Sequence, residues 1–435
     1  MESGPLKIYS SEDSLRLRYI AGIILGDILG LSWEVITDKR KLGKHPVINY
    51  SSEKVSNSFK ITPDSILFEK GFCLKMTDIG EWKGLPVFFQ TNSDSDLPFD
   101  IFAASFFLVT RYEEYPEFVP DKYGRFPAAA SVAFKNGFLD KPVIDLWTKE
   151  LARALLKRFP TLVFKRNEYK ALLTIDTDQP FAYLGKNIFR SIGGFFKEKD
   201  GISDTVSNRY RVMTREEKDP YDVFDYINTA IRADAVETRF FFPVGDRSRF
   251  DTNPSWKNEE YRQLIRRIAE NYLVGLHPSF IAGGDGAMIS DEAVRLKSIL
   301  GKEVILSRFH FIRLYMPHSY KNLLLSGIIE DYSMGYPDET GFRAGIARPY
   351  YFYDITDDRL TNLKIIPFQV MDGTLSDYKK LDPAGSMEKI LSLINETKKV
   401  GGLFVSIWHN TSLLDTEVSK GWREVFEFMI KHQKP

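Results

Sequence analysis

Residues 171–178 decide the fold, and they read Ala-Leu-Leu-Thr-Ile-Asp-Thr-Asp. The first five residues form a short, mostly apolar run that is typical of a buried β-strand, and two aspartates follow where such a strand would end. From this point to the C-terminus, short apolar runs alternate with amphipathic helical stretches. That alternation indicates β/α units built on a parallel sheet.

Seven strands are predicted in this part of the chain, at residues 171–175, 239–244, 272–276, 304–307, 327–329, 364–370 and 403–407. Helices are predicted between them at residues 221–233, 259–270, 291–300, 319–325 and 387–399. We therefore predict an α/β protein whose C-terminal domain, residues 166–435, is a closed or nearly closed (β/α)7 barrel and not an open doubly wound sheet.

Residues 1–165 are predicted to form a smaller, separate α/β domain, with helices at 14–31, 99–111 and 145–158. It contains neither a phosphate-binding loop nor a catalytic triad, so its role is not readable from its residues. The segment 111–127 mixes aromatic and charged side chains, and a packed loop explains it better than a partner surface. Residues 186–199 are predicted to form a lid helix that packs aromatic side chains onto the barrel; the alternative is a helix on a membrane surface.

Composition excludes several classes of protein. The 435 residues carry 59 Lys and Arg against 59 Asp and Glu, so no net basic charge argues for nucleic acid or an anionic membrane as a partner. Cys73 is the one cysteine, which excludes an intrachain disulfide and a cysteine-based zinc site. The apolar run 20–33 contains Asp27 and is too short to span a bilayer. We expect a cytoplasmic protein without stable membrane insertion, and the oligomeric state stays open.

Polar side chains follow six of the seven predicted strands. In β/α barrels the active site lies at the carboxyl ends of the strands, so these positions are the first candidates for function. Carboxylates and imidazoles in this combination predict a metal or acid/base site. The candidates are Asp176, Asp178, His277, Arg308, His310, Asp331, Asp372 and His409.

The two aspartates at 176 and 178 share one face of an extended segment. Their like charges would raise one pKa unless a cation neutralises them, which suits one metal ligand and one base; a turn or helix cap is the alternative. His277 could be a zinc ligand or a structural histidine. Arg308 could orient a carboxylate or form a structural ion pair. His409 is placed to transfer a proton opposite the carboxylates, unless it only caps its strand.

These residues resemble the NodB-like polysaccharide deacetylase superfamily, from about residue 171 to the C-terminus. Five motifs carry the resemblance: residues 174–178, residues 275–279, Arg308 in Ser-Arg-Phe-His, residues 331–335 with 341–345, and His409 in Trp-His-Asn. The N-terminal domain, with Gly-Phe-Arg-Ala-Gly at 341–345 and Met-Asp-Gly at 371–373, resembles a two-domain bacterial branch whose N-terminal domain has no assigned activity.

The resemblance implies roles for these residues. Asp176 would be the catalytic base, Arg308 its tether and His409 the general acid, while Asp178 and His277 would bind a divalent metal, usually zinc. The substrate would be an acetylated glycan, contacted by Asp331, Arg343 and Asp372 and by Tyr350 or Tyr351. One departure stands out: Ile281 occupies the place of the second-motif histidine. A catalytic zinc normally has three protein ligands, so the third would be His310 or Ser279, or would be absent.

The function expected from the sequence is a metal-dependent carbohydrate deacetylase acting on an envelope polysaccharide precursor, with N-acetyl groups favoured and a metal-activated water as nucleophile. The alternative is a catalytically reduced barrel that binds glycans or assists assembly in envelope polysaccharide synthesis. The missing histidine at position 281 favours the alternative, and retention of both aspartates, Arg308 and His409 favours the enzyme.

Overall fold

The computed structural model describes residues 5–73, 78–184 and 206–434. It confirms an α/β protein in which a curled nine-stranded sheet follows a smaller α/β unit. The lid helix predicted at 186–199 lies outside the described residues. Among the helices that are described, none is both long enough and apolar enough to cross a membrane.

The N-terminal unit is built on a parallel four-stranded sheet in the order β2-β1-β3-β4. Its strands are β1 (Leu6–Ser10), β2 (Trp33–Ile36), β3 (Val47–Tyr50) and β4 (Phe59–Lys60), and an antiparallel hairpin adds β5 (Gly80–Trp82) and β6 (Leu85–Val87). Its helices are α1 (Leu15–Ala21), which continues as a π-helical segment (Gly22–Ile28), α2 (Ile101–Val109), α3 (Val132–Lys135) and α4 (Val143–Arg158). Helices were therefore correctly predicted near 14–31, 99–111 and 145–158.

The large sheet has the strand order β12-β13-β11-β10-β9-β8-β7-β15-β14. All neighbouring strands are parallel except β12 and β13, which form an antiparallel hairpin. The strands are β7 (Lys170–Asp176), β8 (Thr238–Phe242), β9 (Leu273–Leu276), β10 (Leu306–Ser307), β11 (Glu330–Asp331), β12 (Tyr350–Asp354), β13 (Arg359–Ile365), β14 (Val370–Met371) and β15 (Leu403–His409). The first and last strands of the predicted repeat, β7 and β15, are neighbours, so the sheet curls back on itself.

Two strand predictions need correction. The fifth strand is residues 330–331 and not 327–329, so Asp331 belongs to the strand itself. The strand predicted at 364–370 is divided: β13 ends at Ile365, and β14 begins at Val370. Residues 366–369 instead cross the gap between the sheet edges, with the Phe368 N–H donating to Met334 O and the Gln369 N–H donating to Val405 O. Pro367 lies in this crossing and has no N–H for a continuous ladder.

Helices cover the outer face of the sheet. They are α5 (Val206–Met213), α6 (Phe224–Ala233), α7 (Glu259–Ala269), α8 (Gly286–Leu300), α9 (His318–Leu325), α10 (Pro383–Lys399) and α11 (Glu417–His432). Local sequence sets their ends: the Asn258 side chain accepts from Tyr261 N–H at the start of α7, and two glutamates follow it in the first turn. Helices α5 and α11 were not predicted.

The inner face of the sheet supports the candidate residues. Leu172, Phe241, Leu306, Val405 and Ile407 belong to a buried apolar cluster inside the curl. Because side chains alternate along a strand, Asp176, Arg308 and His409 lie on the same inner face as this cluster. Each lies two or more residues beyond the cluster, toward the carboxyl end of its strand. The register brings two of them together, since Asp176 of β7 is opposite His409 of β15.

The loop 341–348 packs against the N-terminal unit. Phe342 N–H donates to Leu139 O over 2.7 Å, and Ile144 N–H donates to Gly345 O over 3.0 Å. Gly341 has a φ of +129°, and a Cβ there would lie 2.3 Å from Leu139 O, so only glycine allows this approach. Residues 341–345, which the resemblance places in the wall of a groove, therefore form the junction between the two units.

Candidate metal centre

Three predicted metal ligands converge at the carboxyl ends of the central strands. Atoms of Asp178, His277 and His310 that can bind a metal all lie within 4.8 Å of one another. Asp178 follows β7, His277 follows β9, and His310 lies in the loop after β10. One carboxylate and two imidazoles, with room for a further ligand, is the donor set of catalytic zinc sites.

The surroundings of His277 make the case for a cation. Its Nδ1 is 2.6 Å from the carbonyl oxygen of Arg308, so this nitrogen carries the proton and donates it. In the neutral ring the other nitrogen, Nε2, presents a lone pair, and it faces Asp178 Oδ1 at 3.1 Å. Both atoms are buried and have no hydrogen-bond partner among the described residues. Two facing acceptors repel each other unless a proton or a cation lies between them, and a divalent metal fits that requirement.

His310 is oriented from behind by a carboxylate. Its Nδ1 is 2.9 Å from Asp251 Oδ1, and its Nε2 is 3.4 Å from Asp178 Oδ2. Burial acts to lower the pKa of His310, but the charges and hydrogen bonds of Asp178 and Asp251 outweigh it and raise this pKa to about 9. A carboxylate behind the ring is the usual means of fixing the tautomer of a metal-binding histidine.

The other candidates for the third ligand point elsewhere. Ile281 is 49% exposed and precedes a 3₁₀ turn at Ala282–Gly284. Ser279 donates both its backbone N–H and its hydroxyl to Glu292, over 2.9 and 2.6 Å. The cluster thus contains a histidine from the β10 loop in place of the one that is absent at position 281.

The predicted base and its tether are paired. Arg308 Nη1 is 3.3 Å from Asp176 Oδ1, and Nε donates to Tyr332 O over 3.1 Å. The guanidinium also lies 4.8 Å from the centre of the Phe241 ring. Arg308 is completely buried, and it forms an ion pair with Asp176 inside the barrel.

His409 also lies beside the cluster and is fixed by Asp372. The ring Nδ1 is 2.7 Å from Asp372 Oδ1, while the backbone N–H of His409 donates to Oδ2 over 2.7 Å. Its free Nε2 is 3.8 Å from Asp178 Oδ2. Burial acts to lower the pKa of His409, but Asp372, with help from Asp178 and Asp176, raises it to about 10. Asp372, predicted to contact substrate, has both oxygens engaged with His409, and its contact with substrate stays a prediction.

Two further residues predicted to bind substrate are buried away from the cluster. Asp331 is completely buried, and it accepts hydrogen bonds from the hydroxyls of Ser307 and Ser333. Burial raises its pKa to about 6. Arg343 forms a two-point ion pair with Glu114 of the N-terminal unit and donates to Gly335 O. Their polar groups are satisfied by other parts of the protein, and a substrate contact by either residue stays a prediction.

The aromatic candidates lie on edge strand β12, where Tyr350 is 4% exposed and Tyr351 is 50% exposed. Sequence reasoning missed Asp251 and Glu292. Asp251 lies in the long loop after β8, and a search for polar residues throughout that loop, not only directly after the strand, would have found it. Glu292 gives no such signal, because it lies within α8.

In fold, the chain is similar to polysaccharide deacetylases. A protein from Mycobacterium smegmatis described as a polysaccharide deacetylase aligns with 62% of this chain and 86% of its own, at 16% identity and a TM-score of 0.39. A polysaccharide deacetylase from Bacillus cereus aligns over 61% and 87%, at 14% identity and a TM-score of 0.31. A CE4 family pseudoenzyme from Bacillus anthracis aligns over 61% of each chain, at 11% identity and a TM-score of 0.30. At these values the likeness carries no conclusion about activity.

At the level of sequence, residues 6–160 match a model described as a family of unknown function, DUF7033. No curated protein matches the chain significantly.

Proposed function

We propose that this protein is a metal-dependent hydrolase that removes acetyl groups, N-acetyl groups in the first place, from a carbohydrate. The observation that supports it is the cluster of Asp178, His277 and His310, together with the Asp176–Arg308 and His409–Asp372 pairs at the same strand ends. Hydrolysis of an amide needs a polarised carbonyl, a base and an acid, and these three parts of the site supply them.

The ligands in this proposal are Asp178, His277 and His310, and zinc suits them best among the common divalent metals. A bound divalent cation would supply Lewis-acid polarisation of the acetyl carbonyl and would acidify the attacking water. Asp176 is the base that takes the proton of that water, and Arg308 holds its carboxylate in place. The protonated ring of His409, stabilised by Asp372, donates to the departing amine through its free Nε2.

This division of roles follows from charge. An amine leaves an amide readily only when it is protonated, so the acid must hold its proton at neutral pH. Asp372 raises the pKa of His409 enough to keep it protonated there. Asp176 accepts a hydrogen bond from Arg308. Asp176 and His409 lie on adjacent strands in direct register, so in this proposal both act on one bound substrate.

The test is acetate release by the full chain loaded with Zn²⁺ or Co²⁺. The substrates are N-acetylglucosamine oligomers, acetylated xylan and peracetylated sugars, which separate N- from O-deacetylation. We expect release by the wild type, loss in Asp178→Ala with loss of metal, and loss in Asp176→Asn with metal retained. Unchanged release by Asp176→Asn, or no release by metal-loaded wild type from any substrate, would reject the enzyme in favour of the glycan-binding or assembly role.

A further inference from the structure

The loop that carries His310 has an unfavourable backbone conformation. Phe311 has φ 60° and ψ 11°, and Ile312 has φ 54°. Two successive non-glycine residues thus occupy the left-handed region, where the second is β-branched and especially disfavoured. Such a conformation persists only where surrounding structure holds it, and here it directly follows the imidazole that faces Asp178.

The His310 N–H donates to Pro278 O within the barrel, and a second contact that holds this loop comes from the N-terminal unit. Arg125 is 3% exposed, and its Nη1 donates to the carbonyl oxygen of Phe311 over 2.6 Å. Its Nη2 donates to the Tyr378 hydroxyl over 3.2 Å, and its Nε donates to Asp121 Oδ2 over 2.8 Å. Asp121 Oδ1 also accepts from the backbone N–H groups of Tyr123 and Arg125. These hydrogen bonds close residues 121–125 into a turn, which we name the clamp turn.

The clamp turn also packs against the carboxylate that orients His310. The ring of Tyr123 lies 5.0 Å from that of Phe311, 6.0 Å from that of Phe250 and 6.3 Å from that of Phe280. Phe250 immediately precedes Asp251, and the Phe280 N–H donates to Asp251 Oδ1 over 2.8 Å. One aromatic cluster thus touches the histidine loop and both segments that position its carboxylate partner.

We infer that the N-terminal unit completes the metal centre, with Arg125 as a positioning residue that holds the His310 loop so that this histidine can serve as the third ligand. The inference rests on the metal centre of the proposed function but not on the reaction. It assigns the N-terminal unit a role that no catalytic motif in it suggested. Loss of the clamp should leave Asp178 and His277 in place and release His310 alone.

The experiment is a Co²⁺ titration of the full chain, followed by the visible absorption bands, which report the number and geometry of ligands. For Arg125→Ala we expect Co²⁺ affinity to fall by about 10- to 100-fold, as is typical when an outer-shell partner is lost. Its spectrum should move toward that of His310→Ala. The matched control is Arg16→Ala, because Arg16 is also buried in the N-terminal unit and also bonds to the barrel, through Asp358.

A rescue separates positioning from general damage. Phe311→Gly in the Arg125→Ala background should restore part of the affinity, because glycine adopts the left-handed conformation without a clamp.

If Arg125→Ala is too unstable to titrate, Tyr123→Ala takes its place, with an expected fall of at least about threefold for loss of a partner that only packs. Wild-type affinity and spectrum in the titrated variant would overturn the inference while leaving the proposed function intact. Absence of Co²⁺ and Zn²⁺ binding by the wild type would instead reject the metal centre.

Discussion

Glu114 and Arg343 form a two-point ion pair that joins the N-terminal unit to the barrel. Arg343 Nε and Nη2 lie 2.9 and 2.6 Å from the two oxygens of Glu114, and both side chains are 2% exposed. Glu114 also accepts from Arg111 Nε over 2.8 Å. Burial acts to raise the pKa of Glu114, but the two guanidinium groups lower it further than burial raises it. Arg111 also pairs with Glu113 over 2.6 Å, so two carboxylates balance the two buried cations at the junction.

The first prediction is that Glu114→Gln destabilises the protein severely. It would leave the buried guanidinium of Arg343 without its counter-charge, while Arg111 keeps its pair with Glu113. Removal of one partner from a buried ion pair costs about 3–5 kcal/mol. Urea unfolding followed by circular dichroism measures the change. The control is Glu303→Gln, whose carboxylate is 73% exposed beside Lys297, and it should change stability by less than about 1 kcal/mol. Equal losses in the two variants would contradict a structural role for Glu114.

The second prediction concerns metal content. Elemental mass spectrometry of protein purified without a metal-affinity column should find close to one equivalent of a transition metal in the wild type and much less in Asp178→Ala and His310→Ala. Adding Ile281→His to His310→Ala should not restore it, because the side chain at 281 is 49% exposed and outside the cluster. Recovery of metal in the double variant would place the third ligand at 281 after all.

The third prediction concerns the acid. Because Asp372 raises the pKa of His409, Asp372→Asn should lower this pKa, and the ring should lose its proton at lower pH than in the wild type. NMR titration of the His409 ring in metal-free protein measures the shift directly. In an active enzyme the alkaline limb of the rate profile should move in the same direction. Asp246→Asn, at an exposed carboxylate bonded to Arg295, is the control, and a wild-type titration in Asp372→Asn would remove Asp372 as the cause.

The fourth prediction is a pH dependence of stability. Burial raises the pKa of Glu292 from 4.5 to about 7, despite opposing hydrogen bonds from Ser279. Between these values the folded chain keeps a proton that the unfolded chain releases, so the free energy of unfolding should fall as pH rises from about 4.5 to 7. Glu292→Gln should flatten this decline in urea midpoints. The control is Asp291→Asn, at the exposed neighbour on the same helix, and equal slopes for Glu292→Gln and the wild type would exclude Glu292 as its source.

Much of the fold was predictable because the signals are local. An apolar run shows a strand, its alternation shows which side chains share a face, and capping residues show where helices begin, as at Asn258. Strand β12 and the first residues of β13 were missed, because β12 is the edge strand of the sheet and β13 begins with exposed residues. The division of 364–370 was missed because it depends on what residues 366–369 meet across the gap.

The sequence by itself determined which polar groups stand at the strand ends, because each follows its own strand directly: Asp176 and Asp178, His277, Arg308 and His409. Tertiary structure decided how they combine. Only strand order brings Asp176 opposite His409 and places His310 beside Asp178. Arg343 and Asp331 carry equally suggestive motifs, yet packing buries them among other partners. The physical reason is the range of each signal. Periodicity describes a few neighbouring residues, whereas the contacts of the His310 loop with Asp251 and Arg125 join residues that are far apart in the chain and meet only in the folded protein.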